Sequence, residues 1–156
     1  MQNTDERIYI EPDIYIPELG TELIPCKMYI DLSVFSDEHD FNPNDLTRLL
    51  KIEPTAIWHK GDLIRNNLYR KETSWTLKTN SIETFEFEEL FQILMSILSG
   101  KEEILGKFAE ENHLFVKIYP IIVVYNNMPC ITITKEMADA LIMLNAKIEF
   151  DMYFAK

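Results

Sequence analysis

Strict alternation of apolar and polar positions predicts two strands, one near each end of the chain. In KMYIDLSVFS, residues 27–36, one face carries only apolar side chains: Met28, Ile30, Leu32 and Val34. The C-terminal KIEFDMYF repeats the pattern, with one apolar side: Ile148, Phe150, Met152 and Phe154. The same segment holds Asp151, which is expected either on the outer face or as the anchor of a loop.

A third segment, LFVKIYPIIVVY at residues 114–125, is apolar on both alternating faces over most of its length. Such a pattern is typical of a central strand that is covered on both sides. Asn126 and Asn127 supply a turn, after which PCITI is predicted to return as a hairpin partner. SWTLKT, residues 74–79, predicts a further strand.

Helix signals separate these strands. In FNPNDLTRLL, Asn42 is predicted to cap a helix, Pro43 to take its first position and Asp45 to favour its first turn. Phe41 before the cap is expected to pack on Leu46. Apolar residues at helical spacing predict a second helix over residues 84–99 and a shorter one over 101–112. Thr134 is predicted to cap a last helix with this inner face: Met137, Ala138, Leu141, Ile142 and Asn145.

This order of elements predicts an α+β fold. We expect a two-layer sandwich in which about three helices pack on one face of a mixed, mainly antiparallel sheet. The single α+β domain is predicted over residues 27–156, and residues 1–26 are predicted to form an extended N-terminal arm. Ile8 to Ile16 favour strand, whereas Pro12, Pro17 and Pro25 interrupt it. An arm along a sheet edge also permits a homodimer, by pairing with another subunit.

Charge narrows the classes of partner. The 156 residues, enough for one domain, carry a net charge of −11 with a pI near 4.7. The electrostatic field of this negative charge repels phosphate groups, so neither nucleic acid nor an anionic membrane is predicted as a partner. A basic protein is the predicted partner. Acids concentrate in residues 1–26 and 81–111, whereas residues 48–78 hold seven basic residues against three acids.

Without a basic leader or a membrane-length apolar run, a cytoplasmic location is predicted. Cys26 and Cys130 are expected to be reduced and buried.

Several stretches together suggest a family. A long first strand, a helix opened by proline, IEPTAIWHKGD, SWTLKT and the ending LNAKIEFDMY resemble the bacterial family called domain of unknown function 4279. The likeness covers roughly residues 28–153. It implies a small single-domain cytoplasmic bacterial protein without an established activity. No catalytic residues come with this resemblance.

IEPTAIWHKGD, residues 52–62, is the stretch that most invites a functional interpretation. Its structural explanation is a tight turn, because Gly61 allows a positive φ and Asp62 can accept from backbone amides. The functional alternative is an anion-binding surface with tryptophan as a flat wall. That candidate ligand-binding set is Trp58, Lys60, Asp62, Arg65, Arg70 and Trp75.

Catalytic chemistry has little support in the sequence. No nucleophile elbow or glycine-rich phosphate loop occurs, and His59 has no evident carboxylate partner. SDEHD, residues 36–40, lacks metal-ligand spacing, so neither a metal nor a cofactor is predicted. The leading hypothesis is a non-enzymatic acidic protein-binding domain, immunity-like or antitoxin-like. The alternative is a small anionic-ligand binder or an uncharacterised enzyme that uses the loop from Trp58 to Arg70.

Overall fold

A computed structural model describes residues 22–155 of the protein. The predictions for residues 1–21, including the pairing of the arm with another subunit, lie outside this part of the chain. The described strands are β1 (Cys26–Ser36), β2 (Ala56–Trp58), β3 (Leu63–Arg65), β4 (Leu68–Tyr69), β5 (Thr73–Lys78), β6 (Ile82–Thr84), β7 (Phe115–Val124), β8 (Ala146–Ile148) and β9 (Asp151–Phe154). The described helices are α1 (Pro43–Leu50), α2 (Phe87–Leu98), α3 (Glu102–Glu111) and α4 (Lys135–Met143).

The fold is organised around β1, the longest strand. On one side β1 pairs antiparallel with β5 and β6, and on the other side antiparallel with β7. β2 extends the sheet beyond β5, and β8 and β9 both run parallel to β7. The result is a mixed, mostly antiparallel seven-stranded sheet, which confirms the predicted class. β3 and β4 form a separate two-stranded hairpin.

One face of the sheet holds the core. The even-numbered residues of β1 and most of those of β7 are buried there against leucines and phenylalanines of the helices. All four helices contribute side chains to this single cluster, among them Leu46 of α1, Leu90 of α2, Leu105 of α3 and Met137 of α4. The two-layer arrangement is therefore as predicted, with four described helices instead of about three.

The two predicted capping residues, Asn42 and Thr134, are confirmed, whereas α2 begins at Phe87, three residues later than predicted. The Asn42 side chain accepts a hydrogen bond from the Asn44 amide at 3.2 Å, with Pro43 as the first helical residue. Thr134 caps α4 by accepting from the Met137 amide at 3.2 Å. At its other end α2 stops at Ser99, whose φ of 53° is left-handed and cannot continue a helix.

The hairpin predicted after β7 is wrong. Residues 129–133 form no strand. Cys130 forms only one isolated β-bridge, which pairs it in parallel with Glu86. Pro129 has no amide proton to donate, and β9 pairs with the edge of β7 that a hairpin partner would need. The predicted C-terminal strand is also divided into β8 and β9, and Phe154, predicted on its apolar side, is exposed.

Two smaller predictions also need correction. Ile142 and Asn145 belong to the exposed side of the α4 region, where the chain buries the predicted Met137 together with Leu144, which was not predicted. Both cysteines are free, but only Cys26 is buried, since Cys130 lies on the surface. In residues 22–155, no helix has the length and apolarity that crossing a membrane requires.

Candidate functional site

The loop after β2 is closed by its own backbone. The Gly61 amide donates to the Arg70 carbonyl at 2.9 Å, and the Arg70 amide donates to the Asp62 carbonyl at 2.8 Å. Gly61 has a φ of +91°, a value that side-chain-bearing residues rarely adopt. The Asp62 carboxylate accepts from the His59 amide at 2.7 Å. Turn geometry therefore accounts for both Gly61 and Asp62.

The structure does not gather the six predicted site residues around one point. Trp75 is fully buried and donates to the Thr47 hydroxyl at 3.0 Å, so it cannot be the wall of a surface site. Lys60 donates to the backbone carbonyl of Asp37 at 2.6 Å, and Arg65 is exposed on β3. Among these six, the described side-chain contacts unite only Trp58 and Arg70, whose guanidinium lies 4.4 Å from the ring centroid.

Sequence reasoning missed a partner of His59. Its Nδ1 lies 3.5 Å from a carboxylate oxygen of Asp40, in the SDEHD stretch. The Thr73 hydroxyl donates to the same carboxylate at 2.6 Å, and that bond, with smaller contributions from His59, lowers the pKa of Asp40. Asp40 thus ties the SDEHD loop to β5. The His59 side chain is about half exposed and the Asp40 side chain about two-thirds exposed. Such exposure fits a structural contact between two surface loops better than a catalytic pair.

The sheet face opposite the helices presents a second candidate surface. Register places the odd-numbered residues of β1 and β7 on it, together with Trp58 of β2 and Tyr153 of β9. We call this surface the open sheet face. Its six aromatic residues are Tyr29, Phe35, Trp58, Phe115, Tyr119 and Tyr153.

Charged groups on the open sheet face are paired with these rings. Asp151 accepts hydrogen bonds from both Tyr119, at 2.9 Å, and Tyr153, and these bonds raise the pKa of each tyrosine. Lys78 Nζ lies 3.8 Å from the ring centroid of Tyr29. Lys117 Nζ lies 4.8 Å from the ring centroid of Tyr119. Asp151 therefore lies on the outer face, one of its two expected positions.

Two polar atoms on this face are buried without a hydrogen-bond partner in the described part of the chain: Asp31 Oδ1 and Trp58 Nε1. Burial raises the pKa of Asp31, and the Lys78 charge partly opposes that change. A buried polar atom without a partner costs about 1–3 kcal/mol. The sequence signal for Asp31 was the single carboxylate of a mostly aromatic and apolar strand.

Asp31→Asn is expected to stabilise the fold at neutral pH by about 1 kcal/mol or less, since the side chain is only half-buried. The raised pKa means that the native state binds the Asp31 proton more tightly than the unfolded chain does. Protonated Asp31 therefore favours folding below its ordinary pKa of 3.8, and this benefit is lost as pH rises through the folded value. Urea unfolding of both proteins between pH 3.5 and 7 should show the difference growing with pH. A difference independent of pH would contradict this explanation.

The helical layer has a different character. Eight acidic residues and two lysines lie in α2, α3 and α4. Between α3 and α4 is a shallow cavity of about 470 Å³, lined by Glu103, Lys107 and Glu110 from α3 and by Ile142 and Met143 from α4. Lys107 is paired with Glu103 at 2.8 Å, which leaves Glu110 as the carboxylate without a described salt bridge. Ile142 is 77% exposed and Met143 51% exposed. Exposed apolar side chains with a polar rim are typical of protein-docking surfaces.

Among residues 22–155, no group of three histidine, cysteine or carboxylate side chains is placed to hold a metal ion. A family model described as "Domain of unknown function (DUF4279)" matches residues 26–155. No curated protein and no solved structure matches the chain.

Proposed function

Since the chain belongs to the domain of unknown function family DUF4279, whose description assigns no activity, we propose a function from its surfaces: a non-enzymatic protein-binding domain for a basic partner. The partner class is a basic bacterial protein, held in the manner of an immunity protein or antitoxin, in the cytoplasm. The supporting observation is the pair of exposed apolar residues among carboxylates on α3 and α4. We call the cavity-lining residues Glu103, Lys107, Glu110, Ile142 and Met143 the α3–α4 surface.

The α3–α4 surface combines an apolar centre with negative charge. Full burial of an isoleucine or methionine side chain contributes about 1.5–3 kcal/mol, and Ile142 and Met143 are largely available for such burial. Carboxylates around such a centre accelerate the encounter with a basic protein and disfavour acidic competitors. A partner with an apolar side chain flanked by lysine or arginine fits both features.

The alternative, a site for a small anion or substrate around Trp58, receives less support. Lys60 is bound to Asp37 and Trp75 is buried, so two of the six residues are occupied elsewhere. Arg70 lies on Trp58 at the surface, with no further cation placed beside it by the described contacts. An anion site needs several donors that converge on one volume.

Ile142→Glu is expected to weaken capture of the partner about tenfold or more, because it places a charge where the partner buries apolar surface. Glu110→Lys should weaken it too, with an effect that shrinks as salt screens the charges. We would compare immobilised wild-type and variant proteins in lysate from the source organism, at low and high salt, and quantify bound proteins by mass spectrometry. The expected result is a basic protein that the wild type retains at low salt and releases at high salt.

Matched variants outside the α3–α4 surface provide the controls. Leu63→Glu changes a side chain of comparable exposure, 63%, on the β3–β4 hairpin. Glu53→Lys makes the same charge change in the exposed loop after α1. Both should retain the partner like the wild type. Equal retention by Ile142→Glu, or a partner that is acidic or indifferent to salt, would refute the proposal.

A further inference from the structure

The β3–β4 hairpin, residues 63–69, is an apolar surface that no described element covers. It forms a two-stranded sheet of its own, apart from the seven-stranded sheet. Every residue of both strands is exposed. The four large apolar side chains, 42–63% exposed, are Leu63, Ile64, Leu68 and Tyr69. Such a group of apolar residues outside the core is typical of a docking surface.

The hairpin has a fixed shape before any partner binds. Arg65 pairs with Leu68 across a two-residue turn, in which Asn66 and Asn67 have φ values of 43° and 62°. Two positive φ values belong to the type I′ turn, which fits the twist of a hairpin and which asparagine favours. The two backbone hydrogen bonds of Arg70 close the base of the hairpin. A preformed hairpin loses little conformational entropy when it docks.

The charge of this hairpin is opposite to that of the whole chain. Residues 63–71 contain Arg65, Arg70 and Lys71 and no acid, whereas the chain carries a net charge of −11. None of the described salt bridges involves these three residues. The nearest acids in the sequence, Asp62 and Glu72, lie at the base of the hairpin. The hairpin therefore presents apolar side chains flanked by positive charge.

The α3–α4 surface has the complementary charge around a similar apolar centre. Ile142 and Met143 are its exposed apolar residues, and Glu110 is its carboxylate without a described salt bridge. The whole of α3 carries four glutamates against one lysine. This surface fits an apolar side chain flanked by lysine or arginine, and the β3–β4 hairpin has both features.

The two surfaces lie at opposite edges of the sheet. The hairpin follows β2, which is one edge strand, whereas α4 contacts β8 at the other edge. Four strand spacings separate these edges by about 19 Å, and the strands of the hairpin are only about 10 Å long. The hairpin therefore cannot reach the α3–α4 surface of its own chain, and a contact between the two surfaces joins different copies.

We propose that the β3–β4 hairpin of one copy docks on the α3–α4 surface of a second copy and links copies head to tail. Salt screens the net repulsion between copies beyond about 8–10 Å, so the local charges dominate at the contact. A contact between two different surfaces forms a ring or an open chain, not a symmetric dimer. This inference rests on the proposed role of the α3–α4 surface in binding basic partners.

The small size of the hairpin makes the contact transient. Interfaces of this size are weak, so we expect a dissociation constant of about 0.1–1 mM. A basic partner that binds more tightly displaces the hairpin from the α3–α4 surface. At micromolar concentrations the copies are separate, so Leu63→Glu leaves the capture of a basic partner from lysate unchanged.

Sedimentation equilibrium of the 156-residue chain, at concentrations up to about 1 mM, tests the proposal. The hairpin variant carries Arg65→Glu and Leu68→Glu, and the helix variant carries Glu110→Lys and Ile142→Lys. We expect the wild-type data to require species larger than a dimer. Each variant alone should remain at the monomer mass of 18.4 kDa, because a reversed or buried charge weakens the contact about tenfold or more.

An equimolar mixture of the two variants is the decisive sample. The hairpin variant keeps an intact α3–α4 surface, and the helix variant keeps an intact hairpin. The mixture should therefore approach twice 18.4 kDa and go no higher. The single variants Arg65→Glu and Glu110→Lys provide a second pair, in case a double variant disturbs the fold. Lys27→Glu and Glu53→Lys change exposed charges outside both surfaces and should associate like the wild type.

Three results would overturn the proposal: a wild type or a mixture that stays at the monomer mass, a wild type that stops at a dimer, or a variant that associates alone. None of them affects the capture of a basic partner from lysate. Conversely, a mixture that forms the dimer while no basic partner is captured would support the contact between copies and refute only the proposed function.

Discussion

Replacing Trp75 by alanine is expected to lower the free energy of unfolding by about 3–5 kcal/mol. Trp75 is the largest fully buried side chain, and it lies between β5 and α1, where its Nε1 donates to Thr47. Alanine would leave a cavity between sheet and helix and would remove this hydrogen bond. Urea unfolding should show a large drop in the midpoint with little change in slope.

Two further variants separate the causes of this loss. Thr47→Val keeps the volume but leaves the Trp75 Nε1 without its partner, so we expect a loss of about 1–3 kcal/mol. Trp58→Ala removes the other tryptophan, which is only partly buried and has no described hydrogen bond at Nε1, and should cost less than Trp75→Ala. Equal losses for the two tryptophans would show that the core does not depend on Trp75 as described.

Gly106→Ala is expected to destabilise the protein by about 1–3 kcal/mol, although alanine favours helices. Gly106 is buried on α3, where a Cβ atom would lie 2.0 Å from the backbone carbonyl oxygen of Met143. Backbone atoms cannot rotate away as a side chain does, so α4 would have to move from α3. The change in unfolding free energy can be measured by chemical denaturation.

Ser96→Ala on the exposed side of α2 is the matched control for helix propensity. It should be close to neutral, because Ser96 is exposed and alanine's higher helix propensity offsets the loss of the hydrogen bond from the Ser96 hydroxyl to the Gln92 carbonyl. A Gly106→Ala protein as stable as the wild type would mean that α4 is free to shift away. In that case the shape of the α3–α4 surface would depend on the residue at position 106.

Elements specified by short-range patterns were predictable from the sequence. The alternation in β1 and the capping residues Asn42 and Thr134 act within a few positions, and the structure confirms all three. The direction in which the chain returns to the sheet is determined by contacts between distant residues, not by the local sequence. After β7 the chain crosses through α4 and comes back parallel as β8 and β9, although the two asparagines favour a tight turn.

The candidate site was less predictable for the same physical reason. Trp58 and Trp75 both lie in segments of similar composition, and only the register of β2 on β5 turns Trp75 towards α1 and Trp58 towards the opposite face. The contact of His59 with Asp40 joins two loops that are 19 residues apart. No spacing rule within either loop indicates that pair.

The pairing of β1 with β7 also affects the order in which the protein folds. Phe35 pairs with Phe115 and Lys27 with Val123, separations of 80 and 96 residues. During synthesis the central strand therefore emerges before its longest partner, and Phe115 is made 80 residues after its partner Phe35. Loop-closure entropy opposes such distant contacts, so folding is expected to be slower than in helical domains of similar stability, whose contacts are mostly local. Until β7 arrives, the apolar side of β1 depends on β5, β6 and the first two helices for protection from aggregation.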